Sequence, residues 1–308
     1  MTDTSADFPT VLATGGTISC TADARGDLVP TLDIDALLED AGLDRSSVTA
    51  RDILRLDSST MSLRDLDALL AEIHEAGRRG PVVVTHGTDS MEETAMAVDR
   101  LIGGPVVLTG AQRPADDDAP DGPGNLRDAV AAAAHVDAPC VVFGGRTLPA
   151  YGVRKIHTSA DAAFDTPPLP RPAVPGTHGT RPAPLDGLRV DIVAACQGAE
   201  PTLVESAVRA GADGIVVAAF GSGNVGVHAE GISVALAEGI PVVVASRVAA
   251  GGVQLVYGGA GGGRSLARAG VRSAGQLTAA QARMELLCEL AVHRAGQATG
   301  GCPGGPQG

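Results

Sequence analysis

Five short runs of apolar, largely β-branched residues recur through the first half of the chain: Thr10–Thr14, Ile53–Leu56, Pro81–Thr85, Pro105–Thr109 and Pro139–Phe143. Apart from Arg55 in the second run, they are continuously apolar rather than alternating, as strands buried on both faces are. Between them lie segments of helical period, at Ser62–Ala76, Ser90–Ile102 and Asn125–His135. Within the first of these, Leu63, Leu66, Leu69, Leu70 and Ile73 recur three or four apart and form one buried stripe. This alternation predicts an α/β protein in which the larger N-terminal domain is a mainly parallel, flavodoxin-like sheet with helices on both faces.

The pattern breaks near Asp165. Thr166-Pro167-Pro168-Leu169-Pro170-Arg171-Pro172 and the prolines that follow can sustain neither helix nor central strand. Strands at Arg189–Ala195, Gly214–Phe220 and Pro241–Ser246 then alternate with helices at Pro201–Ala210 and Val227–Glu238. A last helix, Thr278–Arg294, carries Thr278 as N-cap and Gln281 at the capping-box position. The expected organisation is an N-terminal domain over 1–164, a proline-rich linker over 165–187 and a smaller C-terminal α/β domain over 188–295. A disordered, Gly/Pro-rich tail is expected over 296–308.

Charge and composition narrow the function. The 36 acidic against 23 basic residues give a net charge of −13, which opposes nucleic acid or an anionic membrane as partner. With no Trp, two Tyr and four Phe, there is no base-stacking platform. Five unclustered cysteines and an N-terminus without an apolar signal segment predict a reduced, cytoplasmic protein. No apolar run is long enough to span a membrane. The seven histidines fall at no metal-ligand spacing, so a bound zinc is not expected. Lys155 is the only lysine among the 23 basic residues. A lysine can exchange a proton beside a carboxylate where an arginine cannot, so either this position needs lysine chemistry or a surface lysine survives by chance.

Ligands of open parallel sheets bind at the carboxyl ends of the strands. Three loops there are rich in hydroxyls and carboxylates: Thr14-Gly15-Gly16-Thr17-Ile18-Ser19, Leu56-Asp57-Ser58-Ser59-Thr60-Met61 and Thr85-His86-Gly87-Thr88-Asp89-Ser90-Met91-Glu92-Glu93. The first could be a plain Gly-Gly turn, and it is not a phosphate loop. In the third, both Asp89-x-x-Glu92 and Ser90-x-x-Glu93 fit a capping box, more polarity than one helix start requires. His86 reads as a buried, hydrogen-bonded residue. No G-x-S-x-G elbow is present for a Ser-His-Asp triad.

Taken together these loops resemble the bacterial-type L-asparaginase (asparaginase/glutaminase) family. Ala13-Thr14-Gly15-Gly16-Thr17-Ile18 is similar to its first signature, and Thr85 through Ala95 to its second. Gly110-Ala111-Gln112-Arg113-Pro114, Asp121-Gly122-Pro123-Gly124-Asn125-Leu126, Val153-Arg154-Lys155, Asp213-Gly214-Ile215-Val216, Gly221-Ser222-Gly223-Asn224 and Ser246-Arg247-Val248 follow in order. The resemblance implies hydrolysis of L-asparagine to L-aspartate and ammonia, without metal or organic cofactor, through an acyl-enzyme on Thr17. Thr88, Asp89 and Lys155 would form a hydroxyl–carboxylate–lysine relay. Gly16 and Gly87 would line the substrate site, and backbone N–H groups of the Thr17 and Thr88 loops would stabilise the oxyanion. Ser58, with Ser59 beside it, would take the α-carboxylate, and Asp89 the α-ammonium. The resemblance also implies a homo-oligomer, dimer or tetramer, with the active site at a subunit interface and Asn224 reaching across.

Three departures qualify the substrate. The stretch Cys20–Pro30, whose loop Cys20–Val29 could act as a lid, lacks the family's Tyr; Ser59 stands where the family has Gln; and no Asp or Glu lies between Glu238 and Glu285. Gln254 and Tyr257 occupy the corresponding loop, and Tyr257 is either a phenol supplied in trans or a packing residue. The alternatives are an amidohydrolase for L-glutamine or an N-substituted asparagine, and a catalytically silent amino-acid binder. A role on tRNA fits poorly with the charge of −13.

Overall fold

The computed structural model describes residues 8–172 and 181–300. The chain forms two compact units that divide between Pro182 and Ala183.

In the first unit, strand β1 (Thr10–Gly15) leads through a hairpin, β2 (Cys20–Ala22) and β3 (Leu28–Pro30), to helix α1 (Ile34–Asp40). Then follow β4 (Thr49–Leu56), α2 (Leu63–Gly77), β5 (Val82–Thr85), α3 (Met91–Leu101), β6 (Val106–Thr109), α4 (Gly122–Ala133) and β7 (Cys140–Phe143). The unit closes with β8 (Arg146–Pro149) and a two-stranded ladder of β9 (Arg154–Lys155) and β10 (Phe164–Asp165). The main sheet has the order β4-β1-β5-β6-β7-β8, parallel except for β8, which runs antiparallel to β7.

Successive residues of a strand face opposite sides, and both sides here are apolar. Val11, Ala13, Val83, Val107 and Val142 pack with Ile34, Leu37 and Leu38 of α1 and Leu126, Ala129 and Ala133 of α4. Of the predicted stripe of α2, Leu66, Leu69, Leu70 and Ile73 are buried while Leu63, at the helix start, is only half-buried, and α2 lies against β1, β4 and β5. Helix α2 starts on a capping box in which Ser62 and Asp65 exchange hydrogen bonds. These bonds also hold the Asp65 carboxyl below its usual range.

In the second unit, β11 (Val190–Ala194), α5 (Leu203–Arg209), β12 (Gly214–Ala219), α6 (Ala229–Ala237), β13 (Val242–Ser246), α7 (Gly263–Arg268), β14 (Arg272–Ser273) and α8 (Ala279–Gly300) build a parallel four-stranded sheet, ordered β11-β12-β13-β14. Helices α5 and α6 cover one face through Val204, Ala207, Ile232 and Ala235, while α8 lies against β11, β12 and β13. Gly214 lets α8 pack closely, since a Cβ there would meet Leu286 Cδ2 at 2.7 Å and make that side chain shift. The predicted capping box of α8 forms: Gln281 N–H donates to Thr278 Oγ1 at 3.1 Å and Thr278 N–H to Gln281 Oε1 at 2.9 Å.

Two expected boundaries differ. Helix α8 continues through Gly296 to Gly300, so the tail expected from residue 296 is helical for its first five residues; the remainder, 301–308, lies outside the described residues. The expected linker begins inside β10 at Asp165, and its described ends are docked onto their own units. Arg171 pairs with the buried Asp99 of α3 at 3.0 Å, and Arg294 Nη2 donates to Pro184 O at 2.6 Å. Residues 173–180 lie outside the described residues.

Candidate active site

The strand order fixes where a ligand belongs. From β1 the chain goes to β4 on one side of it and then to β5 on the other, so the topological switch lies between β1 and β5. The loops leaving those two strands at their carboxyl ends carry Thr17 and Thr88, and the loop leaving β4 carries Ser58.

The three loops close on one another backbone to backbone. Gly16 has φ +77°, and a Cβ on it would lie 2.4 Å from the Gly87 Cα. A Cβ on Gly87 would in turn lie 2.5 Å from Ser58 Oγ. Only glycine allows that approach. The Gly16 N–H donates to Leu56 O at 3.1 Å, tying the first loop to the end of β4. Thr17, half-buried, opens a 3₁₀ turn directly after this contact, and Thr88 follows it on the other side. Among the described residues no hydrogen bond engages the Thr17 hydroxyl.

Beneath the loops, buried threonines tie neighbouring strand ends. Thr14 Oγ1 donates to Thr85 O at 2.8 Å and Thr109 Oγ1 to Val142 O at 2.8 Å. His86 is fully buried, as its setting in the sequence suggested. Its Nδ1 donates to Gly87 O at 2.7 Å, so Nε2 is the acceptor for the Thr94 hydroxyl at 3.0 Å. Burial drives its pKa down to about 4, which keeps the ring neutral. With the Gly87 carbonyl held inward, the Thr88 N–H of the same trans peptide points the opposite way.

Lys155 reaches this loop from β9. Its Nζ donates to Thr88 Oγ1 at 2.8 Å and to Asp89 Oδ1 at 2.9 Å. The lysine side chain is only 20% exposed, the Asp89 side chain 62%, so the ammonium is sheltered while the carboxylate opens to solvent. Neither predicted capping box forms at α3. Its N-cap, Ser90, makes no side-chain cap bond and instead donates to Ser58 O at 2.7 Å, Asp89 goes to Lys155, and Glu92 accepts the Lys155 backbone N–H at 2.9 Å. The surplus polarity of this loop is spent on other loops.

Two further groups were present in the sequence motifs without an assigned role. Thr88 Oγ1 donates to Gln112 Oε1 at 3.4 Å, while Gln112 Nε2 donates to Ala160 O at 3.3 Å. The Asp121 carboxylate accepts the N–H groups of Gln112 and Arg113, and Asn125 ties Asp121, Gly110 and Gly144 together. The spacing Gly110-x-Gln112 and Asp121-x-x-x-Asn125 was the available signal.

The segment suggested as a lid is the β2–β3 hairpin. Cys20 O accepts Ala115 N–H at 2.9 Å, and Ala22 N–H donates to Asp116 Oδ2 at 2.8 Å. The Cys20 thiol donates to Gly16 O at 3.3 Å, and its pKa is raised by burial and then by Asp57 and Asp116. Ser58 is buried, whereas Ser59 is exposed, with its backbone N–H on the Asp57 carboxylate.

In the second unit, Asn224 and Tyr257 line one open cleft of about 490 Å³, with Phe220 and the Gly258–Gly262 loop. Among the described residues Asn224 Oδ1 is buried there without a hydrogen-bond partner, while Tyr257 is 57% exposed. Gln254 is not part of that lining; its N–H donates to Ser222 O at 3.2 Å. Among the described residues no three His, Cys, Asp or Glu side chains gather as a metal would require. No described helix is long and apolar enough to cross a membrane. Cys20, Cys140, Cys196 and Cys288 are free thiols.

Comparison with known proteins matches the same two units. Residues 10–179 match the family model "Asparaginase, N-terminal" and residues 189–298 the "Glutaminase/Asparaginase C-terminal domain". The chain is 38% identical to a probable L-asparaginase of Deinococcus radiodurans, over 91% of this chain and 92% of that one. It is 32% identical to a glutamyl-tRNA(Gln) amidotransferase component of Pyrobaculum aerophilum, over 80% of this chain and 66% of that one. Among solved structures, the probable cytoplasmic L-asparaginase of Campylobacter jejuni superposes with a TM-score of 0.79 at 29% identity, covering 92% of this chain and 94% of that one.

Proposed function

The chain belongs to the asparaginase family, and on that premise we propose that it is an L-asparaginase, hydrolysing L-asparagine to L-aspartate and ammonia through Thr17. The observation that carries this reading is the Lys155 ammonium bonded to both Thr88 and Asp89 beside the Gly16–Gly87 contact. The Thr17 hydroxyl attacks the side-chain amide carbon. The tetrahedral oxyanion is held by backbone N–H groups, Thr88 N–H among them, and collapses to an ester on Thr17 as the amide nitrogen takes up the proton given up by the Thr17 hydroxyl and leaves as ammonia. Water then attacks the ester and releases aspartate. Thr88, Asp89 and Lys155 orient that water and carry its proton, a task open to lysine but not to arginine.

Ser58 takes the substrate α-carboxylate and Asp89, with its exposed oxygen, the α-ammonium; Gly16 and Gly87 keep the floor open for both. The working form is a homo-oligomer in which a second copy supplies Asn224 and Tyr257 from its own C-terminal unit; their shared cleft supports this, and Gln254 stands outside it. The setting we propose is cytoplasmic, as the similar Campylobacter jejuni protein is named.

Ser59 favours a second reading. Exposed and shorter than a glutamine, it leaves room beyond the α-carboxylate position for the longer L-glutamine, while an N-substituted asparagine is the other amide of this reading. Ammonia release from a panel of these amides decides between them by kcat/KM. The first reading expects L-asparagine to lead the panel and Thr17→Ala to silence it; a folded protein that releases no ammonia from any amide overturns both.

A further inference from the structure

Lys155 stands on a strand of two residues, which by itself is a poor support for a precisely aimed ammonium. Its ladder with β10 uses one edge only: Ile156 N–H donates to Ala163 O at 2.7 Å. The Lys155 N–H points to the opposite edge and ends on Glu92 Oε2 at 2.9 Å. Glu92 lies in the first turn of α3, where a carboxylate is favoured by the helix dipole. One turn further on, on the same helix face, Met96 Sδ accepts the Gly152 N–H at 3.4 Å. The strand bearing the lysine is therefore laid along one face of α3 by two backbone bonds.

The geometry points to Glu92 as a positioning residue for Lys155, an inference that rests on the proposed role of Lys155. Residues 88 to 92 hold both ends of the lysine: Thr88 and Asp89 take its ammonium, and Glu92 takes its backbone. A bond to a carboxylate is shorter and stronger than one to a neutral acceptor, so it fixes the origin from which the long, flexible side chain reaches. Without it, β9 keeps its pairing with β10 but loses its register on α3, and Nζ no longer meets both partners. Glu92 touches neither substrate nor the reacting atoms, and acts only through where it puts Lys155.

The test compares Glu92→Ala, Glu92→Met and Glu92→Gln with Lys155→Ala and the double variant Lys155→Ala/Glu92→Ala, all as the full chain, with kcat, KM and thermal midpoint measured together. A misplacement of about 1 Å predicts a loss of roughly tenfold to a hundredfold in kcat for Glu92→Ala and Glu92→Met, with KM changed less than about twofold. Glu92→Gln, which keeps an acceptor at the same reach, recovers kcat to within about threefold of native. In the Lys155→Ala background, Glu92→Ala adds no further loss. If Glu92→Ala does not fold, Glu92→Met, of similar length and good helix propensity, carries the comparison. A folded Glu92→Met with native kcat, or a loss that follows only the unfolded fraction, overturns the inference. Native turnover in Lys155→Ala instead overturns the proposed mechanism.

Discussion

Lys155 shows how far one residue can carry chemical information. In the sequence it was the only lysine; in the fold its Nζ bridges Thr88 and Asp89. Lys155→Arg keeps the charge but cannot release a proton at any accessible pH, and its planar fork does not fit two acceptors arranged for a single nitrogen. Its kcat falls by about a hundredfold to ten-thousandfold at an unchanged thermal midpoint; a Lys155→Arg protein within tenfold of native activity would refute the relay. His86 makes a different prediction, about stability. Its pKa is about 4 in the folded chain against an ordinary 6.5, so between those values the unfolded state binds a proton the folded state refuses. Stability is then full above pH 6.5 and declines as pH falls toward 4, by up to about 1.4 kcal/mol per pH unit from this group. His86→Asn, which can still donate to Gly87 O, flattens that part of the thermal-midpoint profile; an identical slope in the variant contradicts the assignment.

At the scale of elements, the strands and long helices were legible because their signals are local. Buried parallel strands are continuous apolar runs, and the stripe of α2 and the capping box of α8 are set by spacings of three and four. The site loops were visible only in part. Asp89, Ser90 and Glu92 read as caps because their sequence neighbours are the start of a helix, yet their partners lie 66, 32 and 63 residues away at Lys155, Ser58 and Lys155 again. No local pattern announces such a bond. The hairpins β2–β3 and β9–β10 escaped detection for the same reason. Ladders of three and two residues have no periodicity of their own and are held by distant groups, Asp116 and Ala115 for the first, Glu92 for the second. Gln112, Asp121 and Asn125 stand within sequence motifs, but their knot around Gly110 and Gly144 exists only once β6, α4 and β7 are assembled.

For the whole molecule, the order of β4, β1 and β5 does most to determine function, because it brings the Thr17 and Thr88 loops to one switch point where two glycines let them touch. The second unit gathers Asn224 and Tyr257 around one cleft, and the proposal that they serve another copy makes a prediction no single chain can fulfil. Thr17→Ala and Tyr257→Ala, each impaired alone, regain ammonia release when mixed as subunits, since one site of the mixed assembly combines an intact Thr17 with an intact Tyr257. Full activity of Tyr257→Ala, or no recovery on mixing, would rule out the phenol in trans. The central claim, a threonine nucleophile acting on L-asparagine, is tested most directly by time-resolved ammonia release from L-asparagine by the native chain and Thr17→Ala side by side. The account predicts sustained release by the native chain and a fall of about a thousandfold or more in a folded Thr17→Ala protein. Undiminished release by Thr17→Ala, or none by the folded native chain, would contradict it.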